Sequence, residues 1–279
     1  MMKIILKTMS WILIMVVLST GSVFAGAWTA KKGAIYNKLT FNIYDAEKAF
    51  NDSGDKNEFP ANGDFSDTNI AYYVEYGITD KITVLGSVSY KWLKSEDDTI
   101  INKTTGFSDL DMGLKYCLVS GDFGVVSAQA LVKIPELYDD DEAVALGNSQ
   151  YDTEFRLLYG KSLYPFLPGY VNIEAGYRLR AEEPADEFRY LLELGIDMTK
   201  KIYGRVKLDG ILGINNDDPI LDYNANPTAT LNYDLGKLDL ALGFKLSGPW
   251  SLEFGYRTDI YGKNTAAGDN VSFSFIAAY

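Results

Sequence analysis

The chain of 279 residues contains no histidine. Imidazole is the usual general base beside a nucleophilic serine and the commonest ligand of transition metals, so hydrolase and metalloenzyme readings start at a disadvantage. A single cysteine, Cys117, excludes an intramolecular disulfide framework and a cysteine metal cluster. No metal and no cofactor is expected. Basic residues are the scarcer charge, 26 against 38 acidic, which disfavours nucleic acid and anionic membrane surfaces as partners. Nowhere beyond the N-terminus is there an apolar run approaching the roughly 20 residues of a membrane-spanning helix. What the chain does have is 20 tyrosines and 25 glycines against eight prolines, a composition suited to strands with interfacial aromatics.

The N-terminus carries its own signal. Lys3 and Lys7 precede an apolar run from Trp11 to Leu18, and small residues lead to Val23-Phe24-Ala25. This is the pattern of a secretory signal peptide, residues 1–25, cleaved after Ala25. Gly26 rather than cysteine follows, which argues against a lipid anchor. Lys3 and Lys7 are the only charges removed, leaving 24 basic and 38 acidic side chains on residues 26–279. An exported chain without a helical span is soluble in the periplasm, secreted, or a β-barrel.

From Ala34 onward, apolar and polar residues alternate with the period of two that marks strands. Twelve strands are expected, near 34–44, 69–79, 81–93, 108–119, 123–134, 151–161, 170–181, 187–198, 202–214, 237–247, 250–261 and 271–279. Their connections follow a rhythm. Long polar segments (Ala46 to Asp67, Ser95 to Gly106, Pro135 to Gln150, Asn215 to Pro227) alternate with tight turns at Thr79-Asp80-Lys81, Ser120-Gly121-Asp122, Thr199-Lys200-Lys201 and Ser247-Gly248-Pro249. Membrane barrels have short periplasmic turns and longer outer loops, whereas a soluble sandwich has no reason for this rhythm. Charges of both signs share one face of the strands, as with Glu174, Arg178 and Arg180 against Ile173, Ala175, Tyr177 and Leu179. That fits a wet or salt-bridged lumen and a lipid-facing exterior. The expectation is an all-β, antiparallel up-and-down transmembrane barrel forming a single domain over 26–279. Thr228 to Leu235 is read as an outward extension of the tenth strand with a bulge at Gly236-Lys237; as a separate hairpin it would raise the count to fourteen.

Val271 to Tyr279 alternates to the end of the chain, with Val271, Phe273, Phe275, Ala277 and Tyr279 on one face. It resembles the closing strand of outer-membrane barrels, where such a pattern is read by the barrel-assembly machinery. Phe273, Phe275 and Tyr279 are the expected assembly signal, and this strand must pair with Ala34 to Tyr44 to close the barrel. The implied location is the outer membrane of a Gram-negative bacterium, in contact with lipid and lipopolysaccharide.

Several stretches carry a further resemblance: Gly106-Phe107-Ser108-Asp109-Leu110-Asp111-Met112-Gly113-Leu114-Lys115-Tyr116, Leu146-Gly147-Asn148-Ser149-Gln150-Tyr151-Asp152, Tyr159-Gly160-Lys161-Ser162-Leu163, and Trp28-Thr29-Ala30-Lys31-Lys32-Gly33. They resemble the outer-membrane family named for the meta-pathway of phenol degradation, itself akin to long-chain fatty-acid transporters. The resemblance implies a barrel that passes small hydrophobic or aromatic molecules. One departure is that the eight residues from Gly26 to Gly33 are too few for the N-terminal hatch of the fatty-acid transporters.

For a passive channel the inward charges are the functional candidates: Lys115, Glu154, Arg156, Glu174, Arg178, Arg180, Arg189, Glu193, Arg205, Asp209, Glu253 and Arg257. They could form opposed basic and acidic ladders that narrow a pore and orient a solute. Equally, they could be a salt-bridged filling that stabilises a small barrel. The run Asp139-Asp140-Asp141-Glu142 is read as a solvated acidic loop, with cation binding as the alternative. Trp92, Trp250, Tyr256 and Tyr279 fit an interfacial girdle. Cys117 faces inward beside Lys115 and has no assigned role. The expected function is passive uptake of a small-molecule solute through a channel; the alternative is a structural or adhesive barrel without a pore, and a hydrolase is disfavoured because the chain lacks histidine.

Overall fold

The computed structural model describes residues 26–181, 185–214 and 225–279. The expected signal peptide, and residues 215–224 of the loop before Pro227, lie outside the described residues. Twelve antiparallel strands close into a barrel. In chain order they are β1 (Ile35–Ala46), β2 (Asp64–Thr79), β3 (Ile82–Glu96), β4 in two consecutive pieces (Ile101–Phe107 and Leu110–Gly121), β5 (Gly124–Ile134) and β6 (Asp152–Ser162). Then follow β7 (Gly169–Arg180), β8 (Glu187–Asp197), β9 (Ile202–Gly213), β10 (Asp234–Lys245), β11 (Trp250–Lys263) and β12 (Asp269–Ala278). Each pairs with its chain neighbours, and β12 returns to β1 with Phe41 opposite Phe273 and Leu39 opposite Phe275. Closure leaves no unpaired edge, the condition for a sheet to sit in hydrocarbon.

Alternation sets which side chains see lipid. Leu39, Phe41, Ile43, Phe155, Leu157, Val206, Leu240, Phe254, Phe273 and Phe275 are exposed on the outside, whereas Glu75, Lys115, Glu154, Glu174, Arg178 and Glu253 are buried inside. In a soluble protein this inversion of burial would be untenable; in a bilayer it is the stable arrangement. Trp92 and Tyr256 are also exposed outside.

Strand lengths are unequal. β5, β6 and β8 have 11 residues each, enough to cross a bilayer at a tilt, while β2 has 16 and β3 has 15. The surplus stands above the membrane, and there the strands differ from expectation. Ser95 to Gly106 is not a long loop: β3 pairs with Ile101–Phe107, and only Asp97 to Ile100 turns the chain. The Asp97 carboxylate caps that turn, accepting from the Thr99 and Ile100 amides at 2.7 and 2.9 Å. Above the membrane both faces of a hairpin are wet, so Asn102-Lys103-Thr104-Thr105 carries no hydrophobic alternation to reveal a strand. Ala46 to Asp67 is likewise not featureless. Lys48–Phe50 pairs with Lys56–Glu58 and with Thr265–Ala266 in a small outer sheet.

The bulge at Gly236-Lys237 is present: Gly236 faces Tyr261 and Lys237 faces Asp259, so Ile260 is the extra residue. Of the extension before it only Asp234 and Leu235 are strand, and 228–233 is not, since β10 begins at Asp234. Among the described residues there is no additional hairpin between β9 and β10, so the count is twelve rather than fourteen.

Candidate functional site

The register of neighbouring strands decides which inward charges meet. Across β6, β7 and β8, Glu154 lies opposite Arg178 and Arg178 opposite Glu187. One step away from these, Arg156 lies opposite Gly176 and Gly176 opposite Arg189. Signs alternate along the first row and the second carries two arginines, so acids and bases mix on each strand, and neighbouring rows pair opposite signs. Glu154 sits under three guanidinium groups, Arg156 at 2.5 Å, Arg178 at 2.9 Å and Arg189 at 3.6 Å. Arg156 continues to Glu174 at 2.7 Å, Arg180 and Arg189 hold Glu187 at 3.2 and 2.6 Å, and Asp152 takes Lys133 at 2.9 Å.

A second network lines the other side of the lumen. Arg205 bridges Glu193 at 2.9 Å and Glu253 at 2.7 Å, and Lys38 adds a bond to Glu253 at 2.6 Å. Asp209 lies between Lys207 at 3.3 Å and Lys237 at 3.2 Å. Arg257 rests over the Tyr44 ring at 5.5 Å, and the Tyr44 hydroxyl donates to Asp259 at 2.8 Å. Lys115 pairs with Glu75 at 3.1 Å, and Cys117 is buried on the same inward face two residues on. All twelve charged candidates thus lie on the lumen side within networks of this kind.

The N-terminal arm, Gly26 to Gly33, runs inside the barrel at the end bearing the short turns. Its backbone is held strand by strand: the Gly33 amide donates to the Gly77 carbonyl on β2 at 2.8 Å, and the Ala30 amide to Thr83 Oγ1 on β3 at 2.8 Å. Lys115 Nζ on β4 donates to the Gly26 carbonyl at 2.7 Å, Ser127 Oγ on β5 to the Ala27 carbonyl at 2.5 Å, and the Ala27 amide to Asn172 Oδ1 on β7 at 3.0 Å. Trp28 lies over Gly160, where a Cβ would come within 2.6 Å of the indole, and meets Tyr170 edge-on at 5.8 Å. These eight residues meet β2 to β7 in turn and so line half the wall.

The half left by the arm is a cavity of about 1050 Å³. Its walls include Trp28, Tyr36, Tyr73, Tyr170 and Tyr203, with Lys38, Arg205, Glu193 and Glu253 among the charges. The opposite, outer end is packed. Val144 and Leu146, from the loop between β5 and β6, are fully buried against Tyr44, Phe65, Leu93 and Ala266. Polar groups fix that loop: the Val144 amide donates to Thr104 Oγ1 at 2.9 Å, and Ser108 Oγ donates to the Leu146 carbonyl at 2.8 Å. Tyr138, beside the same cluster, donates to Asp109 at 2.7 Å, and burial together with that carboxylate pushes its phenol above the usual tyrosine range. The acidic run ahead of Val144 is exposed at Asp139, Asp140 and Asp141, and no metal-binding cluster of three or more ligands occurs among the described residues.

Sequence reasoning passed over Lys38, Glu75, Tyr36, Tyr73, Tyr170 and Tyr203 as site residues. Lys38 and Glu75 were visible in principle, since each is a charge on the face of its strand opposite the apolar one. The arm and Val144-Leu146 carry no periodicity and gave no such sign.

An apolar outer band, a charged and ion-paired interior, short turns at one end and full closure define an outer-membrane β-barrel. No family model matches the sequence, and no curated protein matches it. Among solved structures, the COG4313 outer membrane channel from Pseudomonas putida F1 is similar over 94% of this chain and 100% of that one, with a TM-score of 0.74 and 12% identity. The translocator domain of the autotransporter NalP from Neisseria meningitidis is similar over 90% of both chains, with a TM-score of 0.50 and 13% identity. At such identities the likeness establishes the fold.

Proposed function

We propose that this barrel is a passive outer-membrane channel for small molecules, hydrophobic or aromatic ones among them. The observation that carries the reading is the cavity of about 1050 Å³ inside the barrel, walled by Trp28 and by tyrosines that include Tyr36, Tyr73, Tyr170 and Tyr203. A barrel serving only as a scaffold has no use for such a space, and its size matches the upper range of ligand-binding pockets. The resemblance to the phenol meta-pathway family agrees with an aromatic solute, and the P. putida structure is itself described as a channel. On this reading residues 1–25 direct export, the closing strand is recognised by the assembly machinery, and lipopolysaccharide surrounds the outer rim.

The test is conductance of the purified protein in planar bilayers, with liposome swelling against sugars, aromatic acids and alkanes. Discrete conductance and uptake of aromatic solutes are expected. A barrel that neither conducts nor passes any of them would overturn the proposal and leave the structural or adhesive alternative.

A further inference from the structure

The cavity treats its two signs of charge differently. Its carboxylates are covered by donors from the protein itself. Glu253 accepts from Lys38 at 2.6 Å, Arg205 at 2.7 Å and the Tyr203 hydroxyl at 3.2 Å. Glu193 accepts from Arg205 at 2.9 Å and the Tyr170 hydroxyl at 2.6 Å. Lys38 and Arg205, by contrast, keep donors in hand. Lys38 has three N–H donors, one of them directed at Glu253, and the two terminal nitrogens of Arg205 carry two N–H groups each, one from each directed at Glu193 and Glu253. Accessibility runs the same way. The side chains of Lys38 and Arg205 are 21% and 17% exposed, against 6% for Glu253.

A partly buried cation with N–H groups to spare gains from an incoming acceptor. A carboxylate is the acceptor that a guanidinium edge and an ammonium take most strongly. Around these two cations stand the rings of Tyr36, Tyr73, Tyr170, Tyr203 and Trp28. Aromatic rings pair edge-to-face or offset with a flat aromatic guest, as Trp28 and Tyr170 already do with each other at 5.8 Å. Beside these two cations a cationic guest meets only carboxylates already covered, Glu193 and Glu253, while Asp197, elsewhere on the wall, is paired with Lys245 at 2.6 Å.

We propose that the cavity is a binding site for a small aromatic monocarboxylate, its ring held in the tyrosine cage and its carboxylate on Lys38 Nζ and the remaining terminal N–H groups of Arg205. This deepens the channel reading by naming the charge of the solute, and it rests on that reading only for its physiological meaning.

Titration calorimetry of the full chain in detergent tests it, with benzoate, benzylammonium and acetate as probes. Benzoate should bind saturably, and benzylammonium should not bind. Acetate should bind at least tenfold more weakly than benzoate, because it lacks the ring. Lys38→Met removes one cation while leaving Glu253 paired to Arg205 and Tyr203, so the barrel should assemble, as heat-modifiable migration reports. In that variant benzoate affinity should fall at least tenfold, about 1.4 kcal/mol, and Lys38→Arg should restore most of it. Benzylammonium binding as tightly as benzoate, acetate matching benzoate, or benzoate affinity unmoved by Lys38→Met would each overturn the site. A barrel that conducts but binds no benzoate would overturn the site and leave the channel; one that binds benzoate but never conducts would do the reverse.

Discussion

Lys115 on β4 reaches across β3 to Glu75 on β2, meeting both carboxylate oxygens at 3.1 Å with each side chain 1% exposed. Lys115 Nζ also donates to the Gly26 carbonyl at 2.7 Å, and the Tyr73 hydroxyl donates to Glu75 at 2.5 Å. The pair therefore ties two strands, β2 and β4, to the arm.

Removing one member should cost more than removing both. Lys115→Met strands a buried carboxylate, a loss of roughly 3–5 kcal/mol by the usual cost of breaking such pairs, whereas Lys115→Met with Glu75→Gln should recover most of it. The midpoint of the heat-modifiable gel shift, read against temperature, gives the order. A double variant less stable than Lys115→Met would show that the carboxylate is not what the lysine neutralises.

The arm narrows the lumen through Trp28, which fits only because residue 160 lacks a side chain. Trp28→Ala and Gly160→Val should therefore have the same effect by different routes, the first shortening the obstacle and the second displacing it. Single-channel conductance in planar bilayers should rise in both. Equal conductance in wild type and both variants would place the narrowest point elsewhere.

One such place is the outer cluster. Leu146 fills the space above Gly106, where a Cβ would come within 2.8 Å of Leu146 Cδ1, and it is almost wholly buried. Leu146→Ala should cost about 2–5 kcal/mol of local packing. Because Leu146 belongs to a loop and not to a wall strand, the loss should appear as faster proteolysis of the 137–151 loop on intact cells, with the barrel still assembled.

How much of this was legible depends on where water is. Within the membrane, alternation is forced by lipid outside and charge inside, so the twelve strands and the inward set from Lys115 to Arg257 could be read directly. Above it the constraint vanishes, and Ile101–Phe107 passed for loop. Pairing partners were not legible either. Arg156 meets Glu174 because β6 and β7 are offset by a register that no local pattern specifies. The arm's path is set by backbone hydrogen bonds to Thr83, Ser127 and Asn172, residues unremarkable in their own strands.

The seam between β12 and β1 yields the last prediction. Phe273 faces Phe41 and also lies 5.0 Å from Phe254, while Phe275 stacks on Trp250 at 4.9 Å and Tyr279 meets the same indole at 5.5 Å. The terminal residue is fastened by backbone bonds as well, Tyr279 and Ile35 exchanging amide and carbonyl at 2.9 and 3.1 Å. Lysine on the lipid face of a barrel costs about 2–4 kcal/mol near the bilayer midplane. Phe273→Lys with Phe275→Lys adds two such charges beside the β12–β1 ladder that closes the sheet, so heat-modifiable protein should disappear from the membrane fraction. Deleting Tyr279 removes two hydrogen bonds and one ring and should slow assembly without abolishing it. Normal membrane insertion of the double lysine variant would show that closure at this seam does not depend on its apolar face.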